Sequence, residues 1–477
     1  MNSLPLCVDL DGTLLKTDTL LELLIKALKQ NPFLLFVLPF WLLRGKANFK
    51  AALASRHTLQ SSTLPYNKEF LSFLQLEKEA GRKLYLVTGA HIAVAKPIAD
   101  YCQIFTDVFA TQEKNLTGKT KADLMTQTFG EKNFAYAGND MIDRHCWDKA
   151  RDCYIVNALP STSKKMKRLF SFAGEFDLRN SNSIQTILRA IRIHQWAKNF
   201  LVFVPLLASH NIFSQQALIN TLLAFFAFGC CASLSYIIND ISDLDADRQH
   251  RSKNRRPFAS GELSITTGLF IVIALLFATA IISLALPNTF IYCLIIYFTI
   301  TNAYTLRLKH ISILDVTVLA GLYTLRVIAG GYASHTQTSF WLLAFSCFVF
   351  FSLAIVKRVS ELQTLSNSVA GQAIKCRGYW TSDLPVLTSL GTASAMMAVL
   401  VMALYTNNPD VAALYSSPQY LWLLCPIVAL WLGRVWLITG RGEMHDDPIV
   451  FTLRDKASWL LFTLAALMMI LGATLQP

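Results

Sequence analysis

The chain has 477 residues, of which 53% are hydrophobic and only 16% charged, with a formal net charge of +12 and a mean hydropathy of +0.40. Soluble domains are about 25% charged, so a wholly soluble protein is excluded, and the length implies two to four folding units. The basic residues fall in short clusters between long apolar runs. That is how loops of a membrane protein are charged, not a stripe for a phosphate backbone, so no nucleic-acid partner is expected.

The chain opens "MNSLPLCVDLDGTLL". It has no basic start, and two aspartates interrupt its apolar stretch, so no signal peptide is read there. Residues 1–160 alternate short apolar runs with polar helical patterns. "LPLCVDL", "KLYLVTG" and "NFAYAGND" each read as a strand entering a loop, which is the rhythm of a doubly wound α/β fold. Residues 20–46 contain Glu22, Lys26, Lys29, Pro32 and Pro39. They are read as two helices of a small cap, with a hairpin lying on the membrane surface as the alternative. The ten cysteines are scattered with no C-x-x-C pair and read as small buried hydrophobes, implying neither a metal site nor an oxidised compartment.

"VDLDGTLL" places Asp9 and Asp11 at the end of a strand, where two carboxylates can face one Mg²⁺ and one phosphate. One can attack phosphorus and the other can protonate the leaving oxygen. This string resembles the first motif of the haloacid dehalogenase (HAD) superfamily, and the others follow in order. "LYLVTGA" supplies Thr88, the hydroxyl that the resemblance assigns to phosphate. "TGKTKADLM" supplies Lys121 as the phosphate-binding lysine, with Lys119 as runner-up. "AYAGNDMIDRH" resembles the fourth motif and points to Asn139 and Asp143 as metal-binding positions. Asn139 departs from the aspartate usual there, so either its amide oxygen or Asp140 takes that role.

The segment "STSKKMKRLFSFAGEFDLRNSNS" is basic and polar, and residues 161–184 are read as a linker. Residues 185–477 then hold apolar runs of the roughly 20 residues that a bilayer requires. Nine spans are predicted, near 197–209, 217–238, 264–286, 288–306, 313–333, 339–356, 384–406, 420–438 and 457–475. One set of loops carries Arg248, Arg251, Lys253, Arg255, Arg256, Arg307, Lys309, Lys357, Arg358, Lys375, Arg377, Arg441, Arg454 and Lys456. The other set carries no Lys or Arg. The basic set and the N-terminal domain are therefore placed in the cytoplasm, and nine spans put the C-terminus outside. The expectation is a multi-pass protein of a bacterial-type inner membrane.

"SYIINDISDLDADRQHRSKNRRPF" follows one span. Asp240, Asp243 and Asp247 recur at helical spacing, which would put them on one face. Three carboxylates there need neutralising, as Mg²⁺ bound to a diphosphate does. Lys253, Arg255 and Arg256 can hold the remaining phosphate charge. With Asn239 the segment resembles the N-D-x-x-D-x-x-x-D motif of the UbiA superfamily of intramembrane prenyltransferases. The aromatic branch of that superfamily carries a second motif, D-x-x-x-D. Here Asp315 is followed four residues later by Leu319, and Tyr304, Lys309, Arg326, Lys357, Arg358 and Glu361 surround that region. "RIHQWAKN" adds Lys198 and Asn199.

Together with "LRVIAGG" and "RGEMHDDPIVF", these features are similar to the decaprenyl-phosphate phosphoribosyltransferase branch. The resemblance implies phosphoribosyl pyrophosphate as donor, a polyprenyl phosphate as acceptor and Mg²⁺ as cofactor. His445, Asp446 and Asp447 read as an acidic lid or a helix cap. Two alternatives remain at this point: prenyl transfer to an aromatic acceptor, and a non-catalytic protein that binds or flips a lipid phosphate.

Overall fold

A computed structural model describes residues 4–176, 184–209, 214–250, 252–368, 375, 376, 378–408, 415–444 and 447–474. The chain forms two compact units, residues 1–191 with 236–273, and residues 192–235 with 274–477.

In the first unit β1 (Leu6–Val8) is followed by helices α1 (Thr19–Gln30), α2 (Leu34–Leu43), α3 (Lys46–Ala54) and α4 (Lys68–Glu79). Then come β2 (Leu84–His91), α5 (Ile92–Cys102), β3 (Asp107–Thr111), α6 (Lys119–Phe129) and β4 (Ala135–Gly138). The series closes with α7 (Arg144–Lys149), β5 (Asp152–Val156), α8 (Pro160–Lys167) and β6 (Phe172–Phe176). The strands form one sheet in the order β3-β2-β1-β4-β5-β6, and every pairing in it is parallel. Parallel sheets are covered on both faces, so their strands are apolar throughout; Leu6, Cys7 and Val8 are all fully buried. Ligands of such sheets bind beyond the carboxyl ends of the strands, which is where β1 delivers Asp9 and Asp11.

The sheet runs past residue 160, where a linker is expected from composition. α8 and β6 occupy residues 160–167 and 172–176, and β6 pairs with β5. Lys164, Lys165 and Lys167 lie in the last turn of α8, where cations suit the helix dipole. Residues 177–183 lie outside the described set. The cap has the two expected helices, α1 and α2, and adds α3. Leu35, Phe36, Phe40, Leu42 and Leu43 on α2 are exposed.

Among the described residues eight helices are long and apolar enough to cross a membrane: Gln215–Ser242, Ile265–Ser283, Asn288–Leu306, Leu314–Ala333, Phe340–Thr364, Thr381–Thr406, Pro418–Gly440 and Lys456–Thr474. The expected span at 197–209 is not among them. Residues Ile193–Phe203 form a 3₁₀ helix and Val204–Ala208 a short α-helix with Pro205 in its first turn. Glycine is required where this segment meets helix Leu314–Ala333, because a Cβ on Gly330 would lie 2.0 Å from the Val202 carbonyl oxygen. Some buried polar groups inside the second unit pair across helices, which lowers the cost of placing them away from water. Ser352 donates to the Gly391 carbonyl at 2.8 Å and accepts from the Trp436 indole at 3.0 Å. The nine cysteines whose side chains are described are free. Six are buried as expected, Cys102 and Cys425 are half-buried, and Cys347 is exposed on a spanning helix.

Candidate functional site

In the first unit a cavity of about 600 Å³ is lined by Asp9, Asp11, Lys50, Lys121, Asn139, Asp140 and Asp143. β1 leads directly into Asp9, and the chain turns at Gly12 with φ +75°. A side chain there would strike Asn139 at 2.1 Å, so the D-x-D-G string is also a packing requirement. Lys121 donates to Asp9 Oδ1 at 2.8 Å and to the Tyr136 hydroxyl at 3.0 Å. The Tyr136 hydroxyl donates to Asp143 Oδ1 at 2.6 Å. Asp143 Oδ2 accepts the amides of Asn139 and Asp140 at 2.9 and 3.1 Å. Asp11 Oδ1 accepts the Thr19 amide at 2.8 Å.

Burial pushes the Asp9 carboxyl up to about 6 against the pull of Lys121. Burial and the nearby Asp18 push Asp11 up to about 8. Burial works against the Lys121 ammonium, but Asp9, Asp143 and its other acidic neighbours together outweigh it and hold the group charged.

Thr88 is fully buried, and its Oγ1 accepts the Ala90 amide at 3.0 Å. Gly89, Ala90 and His91 line the cavity instead. Asn139 accepts from Thr13 at 3.4 Å, and Asp140 caps the turn that follows it. Tyr136 and Lys50 escaped sequence reading. Lys50 donates to the Gly89 carbonyl at 2.6 Å and to Asn115 Oδ1 at 2.7 Å, and nothing in its local sequence marks it.

The first unit also contains the acidic motif. Helix Gln215–Ser242 ends before Asp243, and a new helix begins at Leu244. The break corrects the expectation that Asp240, Asp243 and Asp247 share one helical face. Asp240 and Asp247, both buried, converge on Arg256 Nη1 at 3.0 and 2.6 Å. Asn239 donates to Asp240 at 3.5 Å. Asp243 pairs with Lys29 at 2.6 Å. Burial raises the Asp247 carboxyl while Arg256 opposes it. Arg255 is exposed and Lys253 half-buried.

No group of three or more metal-ligating side chains converges among the described residues. Mg²⁺ on a diphosphate needs only one or two carboxylates besides phosphate oxygens. Asp240 and Asp247, already sharing one cationic nitrogen, fit that demand, as do Asp9 and Asp11 in the cavity.

In the second unit Lys198 and Lys357 both pair with Asp447 Oδ2, at 2.7 and 2.9 Å. They hold Asp447 well below the usual carboxylate range despite its burial. Asp447 also caps the following helix through the Ile449 amide; His445 and Asp446 lie outside the described residues. A small pocket beside this group is lined by Leu319, Tyr323, Lys357 and Asp447.

Other expected ligands are committed to one another. Arg358 binds Asp315 and Glu361 at 2.5 Å each and Tyr304 at 2.8 Å. Tyr379 donates to Asp315. Arg326 is buried on Asn199, Tyr297 and the Leu322 carbonyl, with its guanidinium 4.6 Å above the Tyr297 ring. Lys309 is half-buried in a turn between two spans.

Residues 200–457 match the UbiA prenyltransferase family. A relative from Sinorhizobium fredii named "Uncharacterized protein y4nM" is 36% identical over 97% of this chain and 90% of its own length. A decaprenyl-phosphate phosphoribosyltransferase from Corynebacterium glutamicum is 28% identical over 62% of this chain and 89% of its own. Among solved structures, a phospho-aspartyl intermediate analogue of phosphoserine phosphatase is 15% identical and covers 38% of this chain and 95% of its own, with a TM-score of 0.27. With the match covering more than half of its residues, this multi-span chain, whose N-terminal part carries a six-stranded parallel sheet, belongs to the UbiA prenyltransferase family.

Proposed function

We propose that the membrane domain transfers 5-phosphoribose from phosphoribosyl pyrophosphate to a polyprenyl phosphate, and that the N-terminal domain removes the 5-phosphate from the lipid product. The observation that carries the reading is the pair of ammonium groups, Lys198 and Lys357, gathered on the single carboxylate of Asp447 in the second unit. Leu319, where a second acidic motif would place a carboxylate, lines a narrow recess beside Lys357 and Asp447. Two ammonium groups on one carboxylate leave a net positive charge, which suits an additional phosphate group. The name of the Corynebacterium relative supports the same substrates.

In this reading Asp240 and Asp247, assisted by Asp243, would hold the Mg²⁺ that accompanies the donor diphosphate. The ion would neutralise charge on the leaving diphosphate. Arg256, released from the two carboxylates, holds the diphosphate with Lys253 and Arg255. Lys198 and Lys357 hold the acceptor phosphate. Arg358 and Arg326, enclosed by their own partners, brace the helices.

In the N-terminal cavity Asp9 attacks phosphorus, forming an acyl phosphate as the bond to the ribose oxygen breaks. Asp11, kept protonated near neutral pH by burial, gives its proton to that oxygen. Lys121 balances the charge on Asp9 and the phosphate. Water then hydrolyses the acyl phosphate, releasing inorganic phosphate and restoring Asp9.

The test incubates membranes with labelled phosphoribosyl pyrophosphate and polyprenyl phosphate and resolves the lipid products by mass. Wild type should yield polyprenyl phosphoribose without the 5-phosphate, and Asp9→Asn the species heavier by one phosphate. Label absent from lipid, or a prenyl chain moved to an aromatic acceptor instead, overturns the transferase reading. The same phosphorylated product from both proteins overturns the phosphatase reading.

A further inference from the structure

The two phosphate-handling motifs of the first unit lie at opposite ends of one short helix. α1 has twelve residues, about 18 Å at the helical rise. At its start the Thr19 amide donates to Asp11, in the phosphatase-like cavity. Along its length Glu22 grips Arg248 through two hydrogen bonds of 2.6 and 2.9 Å, with both side chains almost fully buried. Lys26 pairs with Asp245 at 3.1 Å. At its end Lys29 donates to Asp243 Oδ1 at 2.6 Å and to the Ser242 carbonyl at 2.9 Å. Glu22, Lys26 and Lys29 are spaced i, i+4, i+7, one face of a helix. That face is devoted to residues 242–248, the acidic motif of the transferase.

We propose that α1 is a positioning element of the transferase, and that Lys29 is the residue through which the phosphatase-like domain sets the divalent-cation affinity of the motif. This rests on the reading of Asp240, Asp243 and Asp247 as the cation site. Asp240 and Asp247 share one cationic partner, Arg256, while Asp243 is drawn to a different one, Lys29. An ammonium on a carboxylate competes with a metal ion for the same oxygens. Lys29 also caps the carbonyl end of helix Gln215–Ser242, so it fixes where that helix stops and where Asp243 points. For a divalent cation to recruit Asp243, Lys29 must let go, and its release removes a tether from the helix whose first amide holds Asp11. The cation-bound transferase and the phosphatase cavity are thereby linked, and linkage of this kind acts equally in both directions.

The Lys29 side chain is 43% exposed and that of Asp243 is 20% exposed. A part-exposed ion pair of this sort shifts an equilibrium up to about fivefold. The experiment measures Mn²⁺ binding to the full-length protein in detergent, with inorganic pyrophosphate present, by loss of the free-ion electron paramagnetic resonance signal. The share of binding lost on Asp240→Asn reports the motif. Lys29→Met should tighten that share about two- to fivefold, Lys29→Arg should restore wild-type binding, and Lys26→Met should leave it unchanged. An unchanged or weaker motif share in Lys29→Met overturns the role of Lys29 while leaving the cation site standing. If Asp240→Asn removes no binding, the cation site falls and the positioning role falls with it.

Discussion

The buried pair between Glu22 and Arg248 offers a sharp test of how the first unit is built. The two side chains are 3% and 4% exposed and joined by two hydrogen bonds. Arg248 makes one further contact, to the Ala259 carbonyl at 3.3 Å. Glu22→Leu keeps the bulk but removes the carboxylate, stranding a guanidinium that water cannot reach. Removing one partner of a buried pair costs about 3–5 kcal/mol. For a unit of this size each kcal/mol moves the midpoint by about 2–4 °C, so thermal unfolding in detergent should fall by about 6–20 °C. Glu22→Leu with Arg248→Met replaces both charges with apolar groups of similar volume and should recover most of the loss. The single variant should also lose transferase activity, because Arg248 belongs to the six-residue helix that carries Asp247. A fall below about 2 °C, or a double variant no better than the single, would refute the reasoning.

Further expectations can be checked with the same protein. Asp240→Asn should abolish phosphoribosyl transfer while the protein still inserts and folds, with labelled lipid as the readout; normal turnover would remove Asp240 from the site. Dephosphorylation needs Asp9 ionised and Asp11 protonated, so its rate should rise with pH through about 6 and fall through about 8. Added Mg²⁺ should move both limbs to lower pH, since a nearby cation favours the ionised carboxylate. Reporters fused at Met1 and after Pro477 should lie on opposite sides of the membrane. The reason is parity: residues 1–191 and 236–273 form one compact unit, so if helix Gln215–Ser242 crosses, the chain must also cross before it. The 3₁₀ and α segments of residues 193–208 reach about 30 Å at their respective rises, enough for one crossing. Both reporters on one side would exclude this ninth crossing.

What sequence alone determined here is what local spacing and solvent preference encode. Apolar runs about as long as a bilayer is thick announced the spanning helices, because lipid tolerates only helices or closed barrels. Asp9 and Asp11 were legible because strand-to-loop junctions of a parallel sheet are where such sheets put their ligands, Lys121 was pointed to by motif resemblance, and the structure gathers all three around one cavity. The acidic motif was legible as a group of charges, but its geometry was not. Periodicity assumes an unbroken helix, and this one stops at Ser242, whose carbonyl accepts from Lys29, 213 positions earlier in the chain. The same limit hid Tyr136 between Lys121 and Asp143. It also left Arg326 and Arg358 as candidate substrate-binding residues, whereas each is enclosed by partners from other helices. The sixth strand was mistaken for linker because "FAGEF" lies beside a basic run, and only pairing with Asp152–Val156 makes it a strand. Charge and hydropathy are properties of a residue, readable one at a time. Which charge neutralises which is a property of positions far apart in the chain, and only the tertiary structure decides it.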